Sequence, residues 1–205
     1  MLKVWGYTGS SNVQKVLWAC TELGVAYERV DVGGSHGKLN EEPYQSMNPN
    51  LLVPTIEDGK FILWESNSCV RYLADKYGNG KLLPKTAEGR GDASRWMDWQ
   101  LTTVGPAIRP VFLNLHRTPA EKRDVAAVAA GVKQSNAVFA ILERYLAGRK
   151  FVAGDELSVG DIPLGPFVYR YLTMKIDRPD LPNVKAWYDR LCQREGYRKF
   201  VTVPL

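Results

Sequence analysis

Two short apolar runs on either side of a turn form the clearest pattern in the chain. They predict strands at Val53–Glu57 and Lys60–Trp64, joined through Asp58-Gly59. An Asp-Gly pair between alternating apolar runs is the strongest short-range signal for a β-hairpin. Pro54 has no backbone N–H, so it suits an edge strand or a special peptide bond. We therefore predict a cis bond between Val53 and Pro54.

The residues around this hairpin alternate between strand and helix patterns. Apolar side chains recur at helical spacing from Ser11 to Leu23, where Ser11 and Gln14 fit a capping box and Gly24 fits a helix stop. A right-handed crossover makes the first two strands parallel, and the hairpin adds an antiparallel pair. This βαβαββα order is that of a thioredoxin-like α/β domain. The predicted elements are strands at Leu2–Tyr7 and Tyr27–Val32, a loop at Gly33–Lys38, and helices at Ser11–Leu23, Glu41–Met47 and Asn67–Tyr77.

The pattern changes beyond residue 80, where only helical spacing remains. The second half of the chain is therefore predicted to be an all-helical domain. Gly105-Pro106 and Pro110 are expected to bend or break its first helix. The predicted organisation is a first domain at residues 1–78, a linker at 79–87 and a second domain at 88–205. The helices predicted in the second domain are Glu88–His116, Pro119–Leu146, Ser158–Met174 and Asn183–Arg194.

One helix start in the second half is marked by a local motif. Ser158 and Asp161 stand three residues apart, as in a capping box, and Leu157 and Ile162 fit the hydrophobic staple that often accompanies one. This pattern predicts that Asp161 stabilises the fold.

Composition narrows the class of protein. The 205 residues carry a net charge of +5 without a Lys/Arg run, which is weak evidence for nucleic-acid binding. No apolar run approaches the ~18 residues of a membrane span, and the first residues lack the layout of a signal peptide. Three cysteines without metal-ligand spacing indicate reduced, mostly buried thiols. We therefore expect a cytoplasmic protein with no metal, no nucleic-acid partner and no membrane span.

Glu65 and Ser66 follow the hairpin at a predicted helix start, a place that binds anions well. The order of Val-Pro, hairpin, Glu-Ser and helix resembles the glutathione site of cytosolic glutathione S-transferases. The capping motif at Ser158, with Phe151–Asp155 before it, is similar to the core helix of that family's second domain. The resemblance covers nearly the whole chain and implies a bacterial theta-, delta- or nu-like member of serine type.

The resemblance also implies a glutathione site. The Val53 backbone would pair with the cysteinyl part, Glu65 with the γ-glutamyl ammonium and Ser66 with its carboxylate. Family members usually carry a polar residue before Val-Pro, whereas this chain has Leu51-Leu52. His36, Lys38 or Asn40 could supply the missing donor for the glycine carboxylate. The implied glutathione-binding residues are Ser10, Lys38, Leu52, Val53, Pro54, Glu65 and Ser66.

A glutathione enzyme must form a thiolate near neutral pH, although a free thiol has a pKa of ~8.5. A hydrogen bond to the sulfur favours the thiolate. If Ser11 caps the first helix, Ser10 is free for this catalytic role, with Asn12 as an added donor, as in serine-type members. Tyr7 is the alternative, because other classes use a tyrosine at the end of the first strand. The positions that match the Cys-dependent members hold no cysteine.

The electrophile is expected to bind in the cleft between the domains, with Arg109, His116 and Tyr169 as candidate wall residues. We expect a homodimer that conjugates glutathione, used as a substrate, to a hydrophobic electrophile. Two alternatives stay open from the sequence. One is glutathione-dependent disulfide reduction without a catalytic cysteine, and the other is a non-enzymatic binding module of the same fold.

Overall fold

The first part of the molecule is a four-stranded sheet with helices on its faces, as the computed structural model of residues 1–204 shows. The strand order is β2-β1-β3-β4, in which β1 and β2 are parallel and the other pairs antiparallel. The predicted thioredoxin-like order is therefore confirmed. The strands are β1 Leu2–Trp5, β2 Tyr27–Val30, β3 Thr55–Asp58 and β4 Phe61–Trp64, and the helices are α1 Ser11–Leu23, α2 Tyr44–Met47 and α3 Ser66–Tyr77.

The hairpin turn lies one residue later than predicted. Asp58 pairs with Phe61, so the two-residue loop is Gly59-Lys60, with Gly59 at φ 65°. A glycine in the first loop position provides the positive φ that this turn needs, whereas Asp58 ends the strand. The Asp58 carboxylate accepts hydrogen bonds from three α3 side chains. Burial opposes its charge, but these bonds, from Lys76, Tyr77 and Tyr72, lower the pKa of Asp58 to about 2.

The second part is helical, as predicted. A π-helical turn at Gln100–Val104 joins the first two helices of this part, immediately before Gly105-Pro106. The predicted irregularity near Gly105-Pro106 is therefore present, but the helix continues through Pro110. The helices are α4 Ala87–Trp99, α5 Gly105–His116, α6 Val125–Leu146, α7 Asp161–Thr173, α8 Pro182–Cys192 and α9 Glu195–Phe200.

Several predicted helix boundaries were wrong, and local capping explains the clearest case. The helix predicted from Pro119 begins at Val125, because the Asp124 carboxylate accepts a hydrogen bond of 2.9 Å from Ala127 N–H. Residues 120–122 form a separate 3₁₀ turn. The final helix, α9, was not predicted.

Helix α1 is the element shared by the two parts. Its Val13, Val16 and Leu17 belong to the apolar core of the sheet, whereas Trp18 belongs to the core of the helical part. Trp18 packs edge-on against Tyr197 of α9, with ring centroids 4.8 Å apart. Because α1 is buried on both sides, its N-terminus is held at the junction of the two parts.

Helix α6 is the one helix within residues 1–204 that is long and apolar enough to cross a membrane, judged by length and composition alone. Its Val138, Phe139, Leu142 and Leu146 lie in the core of the helical part. Because 28% of its apolar 18-residue stretch is buried, packing in the core accounts for part of the apolar sequence.

Candidate active site

A cavity of about 700 Å³ opens at the junction of the two parts, and we call it the central cavity. The N-terminus of α1, the loop before β3, the start of α3, the π-helical turn, α5 and α7 contribute to its lining. Most of the site residues predicted from the sequence line this cavity. The predicted residues that line it are Ser10, Asn12, Leu52, Val53, Pro54, Glu65, Ser66 and Arg109, together with the alternative residue Tyr7.

Ser10, and not Ser11, is the N-cap of α1. Its backbone is extended, and its Oγ accepts a contact of 3.5 Å from Val13 N–H. Gln14 does not close a capping box, because its side chain donates to the Thr8 carbonyl at 3.0 Å. The prediction that Ser11 leaves Ser10 free of structural duty was therefore wrong. Ser10 still keeps its own hydroxyl proton for a donor role in the cavity, since it accepts the capping contact.

Tyr7 lines the same cavity but is packed against the loop after β2. A Cβ added at Gly34 would lie only 2.9 Å from Tyr7 Cζ, so the glycine permits this close ring contact. Because Tyr7 and Ser10 both line the cavity, Tyr7 remains the alternative to Ser10 as the residue that binds the sulfur.

The loop before β3 presents free backbone groups to the cavity. The Val53-Pro54 bond is cis, as predicted. The Leu52 carbonyl accepts hydrogen bonds from the Tyr44 hydroxyl and from Asn48 Nδ2, and this anchors the loop. Val53 makes no backbone–backbone hydrogen bond within residues 1–204. Its N–H and C=O are thus available to an extended peptide ligand.

The start of α3 carries the acid and hydroxyl pair. Glu65 is exposed and has a positive φ of 70°, an uncommon conformation for a non-glycine residue that often occurs at functional sites. Ser66 is the first residue of the helix and is buried. The positive end of the helix and the Ser66 hydroxyl suit a carboxylate, and Glu65 suits an ammonium group.

Lys15 lies directly behind Ser66 and was missed by sequence reasoning. Its side chain is fully buried, and its Nζ donates to Ser66 Oγ at 3.3 Å, Asn67 Oδ1 at 3.2 Å and Gln100 Oε1 at 2.7 Å. Burial lowers the pKa of Lys15 to about 7, although the Glu65 carboxylate acts to raise it. A lone lysine in a helix usually lies on the surface. The burial of Lys15 therefore becomes visible only when the second domain is packed on α1.

Two further arginines join Arg109 in the cavity wall and were also missed. Arg117 and Arg170 flank the Phe112 ring, with the Arg170 guanidinium 3.9 Å from its centroid. Burial, with Arg117 nearby, lowers the pKa of Arg170 to about 10. None of these three arginines forms an ion pair with another side chain of residues 1–204. A cationic wall of this kind favours a thiolate or another anion.

Five residues put forward from the sequence do not line the central cavity. Lys38 is exposed in the loop after β2, as are His36 and Asn40. Tyr169 donates its hydroxyl proton to the Val203 carbonyl at 2.6 Å and lines a separate small pocket. His116 is also absent from the lining. Asn48 and Asn50, which precede Leu51-Leu52 in the chain, also line the central cavity.

The cysteines are not placed for thiol chemistry. Cys20 and Cys69 are buried, and burial raises the pKa of each thiol to about 12. Neither these nor Cys192 lines the central cavity. No group of three or more His, Cys, Asp or Glu side chains within the described part of the chain is placed to hold a metal ion. Any reactive sulfur in the cavity must therefore come from a ligand.

A thioredoxin-like half with a cis-proline loop, joined to a helical half across a cavity lined by serines, defines the fold class of the glutathione transferases. The family models for the N-terminal and C-terminal domains of glutathione S-transferase match residues 4–81 and 97–195. The chain therefore belongs to the glutathione S-transferase family.

Relatives and solved structures agree with this assignment over the whole chain. Glutathione S-transferase GstB of Escherichia coli K12 is 41% identical across 100% of both chains, and glutathione S-transferase F9 of Arabidopsis thaliana is 31% identical across 98% and 96%. The crystal structure of a theta-class glutathione S-transferase from Xanthomonas axonopodis pv. citri, with glutathione bound, has a TM-score of 0.95. It is 42% identical and covers 100% of this chain and 98% of its own.

Proposed function

We propose that the protein conjugates the thiolate of glutathione to the electrophilic carbon of a hydrophobic small molecule. The observation that carries this proposal is the convergence of Ser10, the free Val53 backbone, Glu65 and Ser66 on one cavity. The glutathione bound in the Xanthomonas relative supports glutathione as the ligand.

In the proposed complex, each group has one task. Glu65 holds the γ-glutamyl ammonium, Ser66 its carboxylate, and Val53 the cysteinyl backbone, which places the sulfur near Ser10. The Ser10 hydroxyl and the N-terminus of α1 stabilise the thiolate. The thiol proton leaves to solvent, and the sulfur attacks the electrophile. A substitution expels the leaving group as an anion, whereas an addition ends with protonation by water.

The electrophile is proposed to bind beside α5, where Arg109 and Leu113 line the cavity. Lys38 is proposed to bind the glycine carboxylate from the exposed loop after β2. Asn12 is proposed as a second donor near the sulfur. Leu52 and Pro54, which flank Val53 in the cavity lining, are proposed to contact glutathione as well, whereas Tyr169 faces elsewhere.

The test combines glutathione binding with two reactions. We expect wild-type protein to bind immobilised glutathione and to conjugate a chlorinated nitroaromatic. Glu65→Gln should weaken retention, whereas Glu88→Gln, a control at an exposed carboxylate, should not. Binding with reduction of a mixed glutathione disulfide, and without conjugation, would favour the reductase alternative. Binding without either reaction would favour a binding module.

We also propose that the protein is a cytoplasmic homodimer with a role in detoxification. Its cysteines are free thiols, which suits a reducing compartment. Phe61 and Trp64 on the edge strand β4 are 47% and 37% exposed, so an apolar surface remains beside α3.

The dimer is tested by mass measurement in solution. At micromolar concentration, wild-type protein should have twice the mass of one chain, because a partner would cover Phe61 and Trp64. Phe61→Glu should shift the mass toward the monomer by placing a charge in the interface. Val125→Glu alters a 78% exposed apolar residue elsewhere and should not. A wild-type monomer under these conditions would contradict the proposal.

A further inference from the structure

Lys15 is a buried cation with no acid among its hydrogen-bond partners. Its Nζ donates to the neutral oxygens of Ser66, Asn67 and Gln100 at 3.3, 3.2 and 2.7 Å, and the Phe167 ring centroid lies 5.5 Å away. Fully buried lysines are rare unless they are paired with a negative charge. An apolar side chain would satisfy packing at this position at lower desolvation cost, so stability does not explain the lysine.

The contact with Ser66 determines what that hydroxyl can do. A serine hydroxyl has one proton to donate and accepts through its oxygen. Because Ser66 Oγ accepts from Lys15, the Ser66 proton stays available to an acceptor in the central cavity, which Ser66 lines. An anion bound there would lie one hydroxyl group away from a buried positive charge.

We propose that Lys15 is a positioning residue for glutathione. By donating to Ser66 Oγ, Lys15 leaves the Ser66 hydroxyl proton free for the γ-glutamyl carboxylate. The negative charge of this carboxylate also balances the buried positive charge of Lys15. The inference rests on the proposed function, because it takes glutathione as the ligand. It extends that function to a residue that does not line the cavity. Gln100 of the π-helical turn holds Lys15 from the side of the second domain, and so links the two domains through this cation.

A proton change follows from this arrangement. Two charged groups lie near Lys15. Glu65, which immediately precedes α3, favours the ammonium form of Lys15, and Arg170 of α7 disfavours it. Burial lowers the pKa of Lys15 to about 7, so part of the free protein carries a neutral amine slightly above that pH. A bound carboxylate raises the pKa of Lys15 again. Binding at pH 7–8 is therefore accompanied by proton uptake.

The experiment measures binding of S-methylglutathione by titration calorimetry at pH 7.5 in two buffers of different ionisation enthalpy. This ligand keeps the γ-glutamyl carboxylate but has no thiol proton to release. Wild-type protein should take up a fraction of a proton. Lys15→Met should lose that uptake and bind roughly 10- to 100-fold more weakly, as expected for loss of a charge-assisted contact. Lys60→Met, a control at an exposed lysine, should match wild type in both respects.

A double-mutant cycle tests whether Lys15 acts through Ser66. Each of Lys15→Met and Ser66→Ala should weaken binding, and the double variant should bind about as weakly as the weaker single variant. Additive losses would overturn the route through Ser66. A folded Lys15→Met protein with wild-type affinity and proton uptake would overturn the inference as a whole.

Gln100→Glu is a second variant that tests proton uptake by Lys15, for use if Lys15→Met does not fold. A carboxylate at the Gln100 position would pair with Lys15 and hold it protonated, so proton uptake should disappear although the lysine remains. Unchanged uptake in this variant would contradict the inference. Failure of wild-type protein to bind S-methylglutathione would be a different result, since it would remove the proposed function itself.

Discussion

Asp161→Ala is expected to lower the free energy of unfolding by about 3–5 kcal/mol, because it leaves a set of buried donors unpaired. The Asp161 carboxylate is fully buried. Its oxygens accept from Val152 N–H, Ser158 N–H, Ser158 Oγ and Trp187 Nε1, each at 3.0 Å. At about 2–4 °C per kcal/mol for a protein of this size, the loss is measurable as a lower melting temperature.

Asp161→Asn is the matched variant, because it keeps the shape and removes the charge. Both carboxylate oxygens face donors, so an amide NH₂ in place of either one would meet N–H or O–H groups. We expect Asn to be nearly as destabilising as Ala. Asp155→Ala, at an exposed carboxylate, should change stability by less than about 0.5 kcal/mol. An Asp161→Ala protein that melts like wild type but lacks activity would refute the structural role.

The pH dependence of this effect has a definite sign. Burial raises the pKa of Asp161 to about 6, despite the hydrogen bonds that act to lower it. Between pH 4 and pH 6 the folded protein therefore holds a proton that the unfolded chain has released. The contribution of Asp161 to stability should decrease as pH rises through this range. The difference in unfolding free energy between wild type and Asp161→Ala should decrease with it.

Ser10→Ala is expected to raise the pKa of the bound glutathione thiol by roughly one to two units, because a charge-assisted hydrogen bond to the thiolate is lost. Turnover below the wild-type thiol pKa should fall roughly 10- to 100-fold and recover in part as pH rises. Glutathione affinity should change little, since Glu65, Ser66 and the Val53 backbone remain. Thiolate absorbance of the bound complex as a function of pH measures the shift.

The capping role of Ser10 requires a variant that separates stability from chemistry. Glycine replaces an N-cap serine at a loss of only a few tenths of a kcal/mol, whereas alanine loses about 0.5–2 kcal/mol. Ser10→Gly should therefore be nearly as stable as wild type and yet share the raised thiol pKa. Ser11→Ala and Tyr7→Phe should leave the thiol pKa in place. A shift in Tyr7→Phe without one in Ser10→Ala would assign the sulfur contact to the tyrosine.

Much of the site was predictable because it is local in sequence. The Val-Pro loop, the hairpin and the Glu65-Ser66 helix start lie within fourteen consecutive residues, 53–66, and short-range rules govern turns, caps and helix ends. The same rules gave the wrong N-cap for α1, where two serines that can both cap a helix are adjacent. Ser10 and Ser11 have the same chemistry, and the path of the chain out of β1 decides which of them caps α1.

The sequence by itself determined the order of strands and helices in the first domain, the cis-proline loop, the structural role expected for Asp161 and the polar pair at the start of α3. Periodicity, turn residues and capping patterns carry this information over a few residues at a time. Only the tertiary structure decided that Lys15 is buried behind Ser66, that Arg117 and Arg170 flank Phe112, and that Tyr169 faces away from the central cavity. These positions depend on how the helical part packs against α1, which joins residues far apart in the chain and leaves no local pattern.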